Sequence, residues 1–312
     1  MASWVFKAVL QKAIGLTPMR ARINEVFQTY VTRSLELGPE TFEDKLALAV
    51  RHLDYYRAHN AVASAELSPA PRVLVDIGTG WYPDLPLSAF VCGTQAVHTY
   101  DIERHVKPAR LRRLMAYYLD YADRGVLTQH LPGAQPERIE QLRALHDSRA
   151  DTAEALLEPL GIHYHVHGAE TSGLPDACVD LVASTVVLEY LPWDLLLAVL
   201  RENRRTLVPG GVMSHEIDLA DQFHYRDDSI TPLHFYRFSD RAWQLINNRI
   251  IPMTRLRVND FRRAFAEAGF EIVEEQSDRE PASVLDEVPL AAPFLGYETD
   301  DLLVTRTWLV AR

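Results

Sequence analysis

The chain has 312 residues, 47% hydrophobic and 24% charged, with 32 Lys and Arg against 43 Asp and Glu and a formal charge of −11. That length and composition give one large α/β domain with additions, or two modest domains, and exclude a disordered chain. The acidic balance argues against nucleic acid and anionic membrane surfaces as partners. Cys92 and Cys178 lie far apart, without zinc-ribbon spacing, and nothing in their usage suggests an oxidising compartment. No apolar run reaches the roughly 18 residues of a membrane span, and Lys7 interrupts the first apolar stretch, so neither stable membrane insertion nor a signal peptide is expected. The default location is cytoplasmic.

Residues 1–70 read as a helical layer, a cap on one edge of the main domain or a lid over its site. Trp4, Val5, Ala8, Val9 and Leu10 form an apolar stripe that breaks near Gly15 and Pro18. A second helix is expected from about Arg20 to Leu37. Thr41-Phe-Glu-Asp44 then opens a third through Leu46, Ala49, Val50, Leu53 and Tyr56.

From Ala70 strands and helices alternate. The expected strands are Val73–Ile77, Ala96–Tyr100, Ile162–His167, Val179–Ser184, Val212–Ile217, Phe270–Glu275 and Leu302–Val310. Helices are expected at about Pro108–Arg124, Pro192–Leu207 and Val258–Ala268. Helical runs near Glu137–His146 and Ala150–Leu157 fall in an insertion over 125–160. A second insertion, 219–258, is aromatic-rich and irregular. Such alternation argues a doubly wound, mostly parallel α/β sheet of seven strands over 71–312.

The stretch Val73-Leu-Val-Asp-Ile-Gly-Thr-Gly-Trp81 carries the first chemical signal. A buried strand runs into a turn whose glycines let the backbone approach a ligand closely. The third glycine of a dinucleotide loop is replaced by Pro83, which lowers the case for an NAD-linked reductase. Asp76, two residues before the first glycine, suits a cationic or hydroxyl-bearing cofactor better than a pyrophosphate. Asp101 ends the second strand at the distance expected of a ribose-binding acid. Ala169-Glu170 and Leu174-Pro175 follow the third strand, Val179-Asp-Leu-Val182 forms the fourth, and Leu188-Glu-Tyr190 and Leu207-Val-Pro-Gly-Gly211 come after it.

In this order the motifs resemble the class I S-adenosylmethionine-dependent methyltransferase family, over about residues 71–218. The resemblance implies a Rossmann-like sheet with an antiparallel last strand and S-adenosylmethionine as cofactor. It places Asp76, Gly78, Thr79 and Gly80 at the methionine part, Asp101 and Ile102 at the ribose side, and Ala169 and Glu170 near adenine. Ser184 and Thr185 would lie beneath the sulfonium. Departures stand at Trp81-Tyr-Pro-Asp84, Gly168 and Tyr190. Ile217-Asp-Leu-Ala-Asp221, Arg237-Phe-Ser239 and Arg255-Leu-Arg257 look like a bacterial subgroup often found with glycan pathways.

The implied reaction is methyl transfer to an oxygen, which needs a base near the hydroxyl and an in-line approach. His215 and Asp218 are the base candidates. Trp81, Tyr82, Glu189, Tyr190, Asp221, His224, Arg255 and Arg257 are expected on the acceptor side. His163, His165 and His167 alternate on one strand face, but no carboxylate or cysteine completes a zinc set. Asp218 and Asp221 alone offer natural magnesium donors, so no metal site is assigned. The acceptor is a glycan or another small molecule; a natural product, a lipid and a non-catalytic cofactor-binding role stay open, as does homo-oligomerisation.

Overall fold

A computed structural model describes residues 4–15, 36–61, 70–248 and 252–312. The helix expected over 20–37 lies almost wholly outside the described residues. Seven strands form one sheet: β1 (Val73–Ile77), β2 (Ala96–Asp101), β3 (Ile162–Val166), β4 (Val179–Thr185), β5 (Leu207–Asp218), β6 (Ile272–Arg279) and β7 (Val304–Ala311). Their order is β3-β2-β1-β4-β5-β7-β6. β7 runs antiparallel to both of its neighbours, and the other pairs are parallel. This is the Rossmann-like sheet expected. The strand order reverses between β1 and β4, and the crevice at their carboxyl ends is where such sheets bind ligands.

The central strands are apolar because both faces are covered. On one face lies α2 (Pro39–His59), whose Phe42, Leu46, Ala49, Leu53 and Tyr56 recur at helical spacing and are buried. It packs with α3 (Asp84–Val91) and α4 (Pro108–Asp123). On the other face lie α6 (Trp193–Thr206) and α8 (Val258–Glu267). Between them in sequence, α5 (Pro136–His146) belongs to the 125–160 insertion and α7 (Asp240–Ile246) to the 219–258 insertion.

Three elements differ from expectation, each for a physical reason. α3 was not anticipated, because Leu85–Val91 is buried throughout and so carries no amphipathic period. β5 begins five residues early, at Leu207. Pro209-Gly-Gly211 is absorbed as an irregularity where pairing jumps from Val179↔Leu207 to Leu181↔Val212, with Gly210 at φ +83°. β6 starts at Ile272 and runs to Arg279, because its polar residues pair along β7 rather than fill a core.

α1 (Trp4–Gly15) packs on the second insertion. The Trp4 ring meets His234, Phe238 and Phe223 at 4.8, 5.7 and 6.1 Å, and its backbone N–H donates to Asp227 at 2.6 Å. Phe235, Tyr236, Trp243 and Phe294 form a third apolar cluster around this segment. The aromatics of 219–243 thus spend their surfaces largely on one another. Arg257 is wholly buried at the junction. Its guanidinium donates to the carbonyls of Leu219 (2.8 Å) and Val304 and lies against the Phe235 and Tyr236 rings. Among the described residues, no helix is long and apolar enough to cross a membrane.

Candidate functional site

The site is built at the carboxyl ends of β1, β2, β4 and β5. Asp76, the fourth residue of β1, is 5% exposed and accepts a 2.7 Å hydrogen bond from Thr99 Oγ1. Thr99 in turn lies 2.5 Å from Thr79 Oγ1. Burial pushes the Asp76 carboxyl up to about 7, with Asp84 and Asp101 adding to the rise. A carboxyl held in that state is poised to receive a cation or donor.

The turn after β1 needs its glycines. Gly78 sits at φ +88° and Gly80 at φ +62°. A Cβ on Gly78 would come within 2.3 Å of Val187 Cγ2, so the segment after β4 rests directly on the turn. Val186 there has φ +56°, a strained value for a β-branched residue. It is held by its own N–H, which donates to the Glu216 carbonyl at 2.9 Å.

Asp101 faces the same turn. Its Oδ2 accepts from Gly80 N–H at 2.9 Å and its Oδ1 from Glu103 N–H at 3.1 Å. Two of roughly four lone-pair positions remain open. Ile102 beside it is 78% exposed, a large apolar side chain offered to a planar ligand. Trp81 stacks on His105 at 4.2 Å and lies under Arg110 at 4.8 Å, forming one wall. Tyr82 instead is buried in the core below Lys45. Ala169 is buried, and Glu170 folds back over Gly168, where a Cβ would lie 2.0 Å from its carboxylate. Gly168 is therefore what lets Glu170 occupy that position.

Ser184 and Thr185 project to opposite faces of the sheet. Ser184 Oγ is hydrogen-bonded to His215 Nδ1 at 2.7 Å inside the core. His215 has no exposed surface, faces Phe265, and is driven down to about 3 by burial. Neutral and enclosed, it does not line the cleft, so the expectation that it could serve as base is corrected. Thr185 is tied to His52 Nε2 at 3.0 Å, and His52 Nδ1 to Ser214 Oγ at 2.9 Å. Trp308 Nε1–H donates to the same Ser214 oxygen at 2.8 Å.

At the end of β5, Asp218 is 6% exposed and accepts from Ala220 N–H (3.0 Å), Gln222 Nε2 (3.1 Å) and the Tyr225 hydroxyl (2.8 Å). Burial pushes the Tyr225 phenol up to about 12. Glu216, its carboxyl raised by burial, receives Arg306 at 3.0 Å. Glu189 lines a recess with Asp218, Gln222, Thr254 and Arg255. Burial first, then the nearby Asp218 and Glu216, lift its carboxyl well above the usual range. Tyr190 is raised by the same burial and by Glu189.

The remaining acceptor-side residues hold structure. Asp221 is fully buried, accepts from Phe223 N–H at 2.9 Å and pairs with His234 at 3.3 Å. His224 bonds the Ile230 carbonyl at 2.7 Å. Arg255, in a left-handed conformation (φ +64°), donates to Phe238 O and Asp240, each at 2.7 Å. Arg255 and Arg257 are therefore engaged with the protein itself. The imidazoles of β3 are spent likewise: His165 on His98 (3.2 Å) and His163 on Glu158 (2.8 Å). Among the described residues, no group of three or more His, Cys, Asp or Glu is placed to hold a metal ion.

Three contributors were missed from sequence: His52, Val187 and Arg306. Arg306 stands opposite Asp218 in the β5–β7 ladder and reaches diagonally to Glu216, and only strand register brings them together. His52 sits on α2, whose distance in sequence from the glycine turn gave no signal.

A doubly wound sheet with this order, a glycine turn after β1 and an acid ending β2 together form the arrangement of class I S-adenosylmethionine-dependent methyltransferases. A methyltransferase-domain family model matches residues 134–214. Comparison with curated protein sequences finds no match. Solved structures similar to it include the CcbJ methyltransferase from Streptomyces caelestis, at 13% identity and TM-score 0.44, covering 88% of this chain and 96% of that one. Another is a geranyl diphosphate methyltransferase in complex with S-adenosylmethionine, at 13% identity and TM-score 0.44, covering 85% and 84%. A third is an S-adenosylmethionine-dependent methyltransferase from Mesorhizobium loti, at 16% identity and TM-score 0.38, covering 78% and 91%.

The residues present fit the cofactor. Gly78 and Gly80 leave a cradle that side chains would fill, Asp76 and Asp101 supply acceptors, and Ile102 offers an apolar face.

Proposed function

We propose that this enzyme methylates a hydroxyl of a sugar or glycan acceptor in the cytoplasm. The observation that carries the reading is the Tyr225–Asp218 hydrogen bond at the end of β5, beside the carboxyls of Glu189 and Glu216. A hydroxyl-rich acceptor both donates and accepts, and this corner offers carboxylates and phenols rather than an apolar slot. The two cysteines are unpaired, as a reducing compartment would leave them.

S-adenosylmethionine supplies an electrophilic methyl group on a sulfonium. The chain's own residues bind, orient and move the proton. Asp76, Gly78, Thr79 and Gly80 hold the methionine part, Asp101 and Ile102 the ribose side, Ala169 and Glu170 the adenine surroundings. Thr185, oriented by His52, floors the site, and Ser184 supports it from below. Asp218 takes the acceptor proton, with Tyr225 holding its carboxylate. Trp81, Glu189 and Tyr190 border the acceptor, framed by Tyr82, Asp221, His224, Arg255 and Arg257. Helices α1 and α2 act as a cap, and α1 braces the second insertion through Trp4.

Methyl-labelled S-adenosylmethionine incubated with a glycan panel tests this. Label is expected as an O-methyl ether on a sugar, with Asp218→Asn lowering turnover by roughly 10²–10⁴-fold and leaving cofactor affinity unchanged. Label found only on non-carbohydrate acceptors would reject the glycan assignment.

A further inference from the structure

Among the described residues, Glu189 is the one buried acid of the cleft whose oxygens no side-chain donor reaches. Its side chain is buried, with 6% of the residue exposed, yet neither carboxylate oxygen completes a hydrogen bond, and only the backbone amides of Glu189 and Asp218 lean toward it. Its backbone carbonyl accepts Thr254 Oγ1 at 2.8 Å, which holds the main chain at this position. It lines the same recess as Asp218, and both Asp218 and Glu216 act on it through space. The phenols of Tyr190 and Tyr225 complete the surroundings.

The cations nearby are already committed. Arg306 answers Glu216, Arg255 answers Asp240, and Arg257 is bonded to two backbone carbonyls. Among the described residues, three carboxyl groups thus gather at this corner around the Arg306 guanidinium, with Arg51 acting on Glu216 through space. An unpaired buried carboxylate is costly, and once Glu189 is ionised a neutral hydroxyl would satisfy one oxygen without relieving its repulsion from Asp218 and Glu216. An anionic acceptor would add to it. A cation relieves both.

We propose that the acceptor carries an ammonium group beside the hydroxyl that is methylated, and that Glu189 receives it. The proposal rests on the O-methyl reading of this cleft and deepens it to a hydroxylated amine, such as an amino sugar. Salt-bridge formation requires Glu189 in its carboxylate form, so a proton leaves as the amine binds.

The test is calorimetry on the full chain saturated with S-adenosylhomocysteine, in two buffers of different ionisation enthalpy. Two matched probe pairs are titrated: the β-1,4-linked glucosamine dimer against cellobiose, and tyramine against 4-ethylphenol. In at least one pair the amine is expected to bind roughly tenfold tighter or more than its neutral match, releasing up to one proton. Glu189→Gln should abolish that preference and that proton, bringing the amine and its neutral match to equal affinity. Preference confined to tyramine would reject the glycan reading and support the Glu189 assignment. Equal affinity within both pairs would overturn it. So would proton release that survives Glu189→Gln, or a Glu189→Gln change whose whole effect falls on S-adenosylmethionine relative to S-adenosylhomocysteine, since the cation would then be the cofactor's own. If the variant does not fold, the amine preference and proton release of the wild type decide.

Discussion

Replacing Asp101 probes the cofactor half of the cleft most sharply. Its carboxylate spends one oxygen position on Gly80 N–H at 2.9 Å and one on Glu103 N–H at 3.1 Å. About two positions remain, enough for the two hydroxyls of a ribose. A hydrogen bond to a charged group contributes about 1.5–3 kcal/mol, so two such bonds correspond to roughly a hundredfold or more in affinity. Asp101→Ala also leaves two turn amides without their acceptor, which loosens the Gly78–Gly80 cradle and adds to the loss. Asp101→Asn keeps one acceptor oxygen and should fall between, at about tenfold. The assay is calorimetric titration with S-adenosylhomocysteine and its 2′,3′-dideoxy analogue. Wild type should prefer the hydroxylated ligand, and Asp101→Ala should not distinguish the two. Affinities within twofold for wild type and Asp101→Ala would refute the reasoning.

Gly78→Ala places a methyl 2.3 Å from Val187 Cγ2 at a backbone φ of +88°. Left-handed backbone costs a non-glycine residue about 1–2 kcal/mol. Thermal melting should fall and S-adenosylhomocysteine binding should weaken at least tenfold; unchanged melting and binding would mean the turn relaxes freely. Asp76→Asn tests the buried carboxyl by pH. The folded group titrates at about 7 and the unfolded one near 4, so between these values the folded state holds a proton that the unfolded state has lost. Its contribution to stability therefore falls as pH rises from about 4 to 7, and denaturant titrations should show that slope reduced in Asp76→Asn; parallel profiles would contradict the burial argument. His52 and His215, both held neutral to about 3, act in the opposite sense below about 6.5, so the comparison must be wild type against variant. Arg257→Met strands the Leu219 and Val304 carbonyls, and urea unfolding should register a loss of roughly 2–4 kcal/mol; a loss under about 0.5 kcal/mol would return Arg257 to the acceptor surface.

The sheet was legible because β1 and β4 are short apolar runs ending at glycine or polar turns, and because strand–helix alternation persists from Ala70 onward. α3 was hidden by its own burial, since a helix apolar on every side has no period to read. The start of β5 was hidden because Pro-Gly-Gly signals a turn and the chain uses it as a bulge. On the site, Asp76, Gly78, Gly80 and Asp101 were visible because local geometry fixes them in one turn. His215 was misjudged for a reason of parity. It neighbours Glu216 and lies three residues from Asp218, but in a strand it faces the opposite side from both, and only β4–β5 register shows that it meets Ser184 in the core. The arginines were misjudged because nothing in Arg-Leu-Arg says that backbone carbonyls will claim both guanidiniums. His52 and Arg306 were invisible, each brought in by a packing or pairing partner distant in sequence.

The most direct measurement is a crystal structure of the enzyme with S-adenosylhomocysteine. The adenosyl group is expected across the carboxyl ends of β1 and β2, one molecule per chain, with both ribose hydroxyls on Asp101 and the adenine against Ile102. Density for the ligand at another place, or a ribose turned away from Asp101, would contradict the assignment of this cleft.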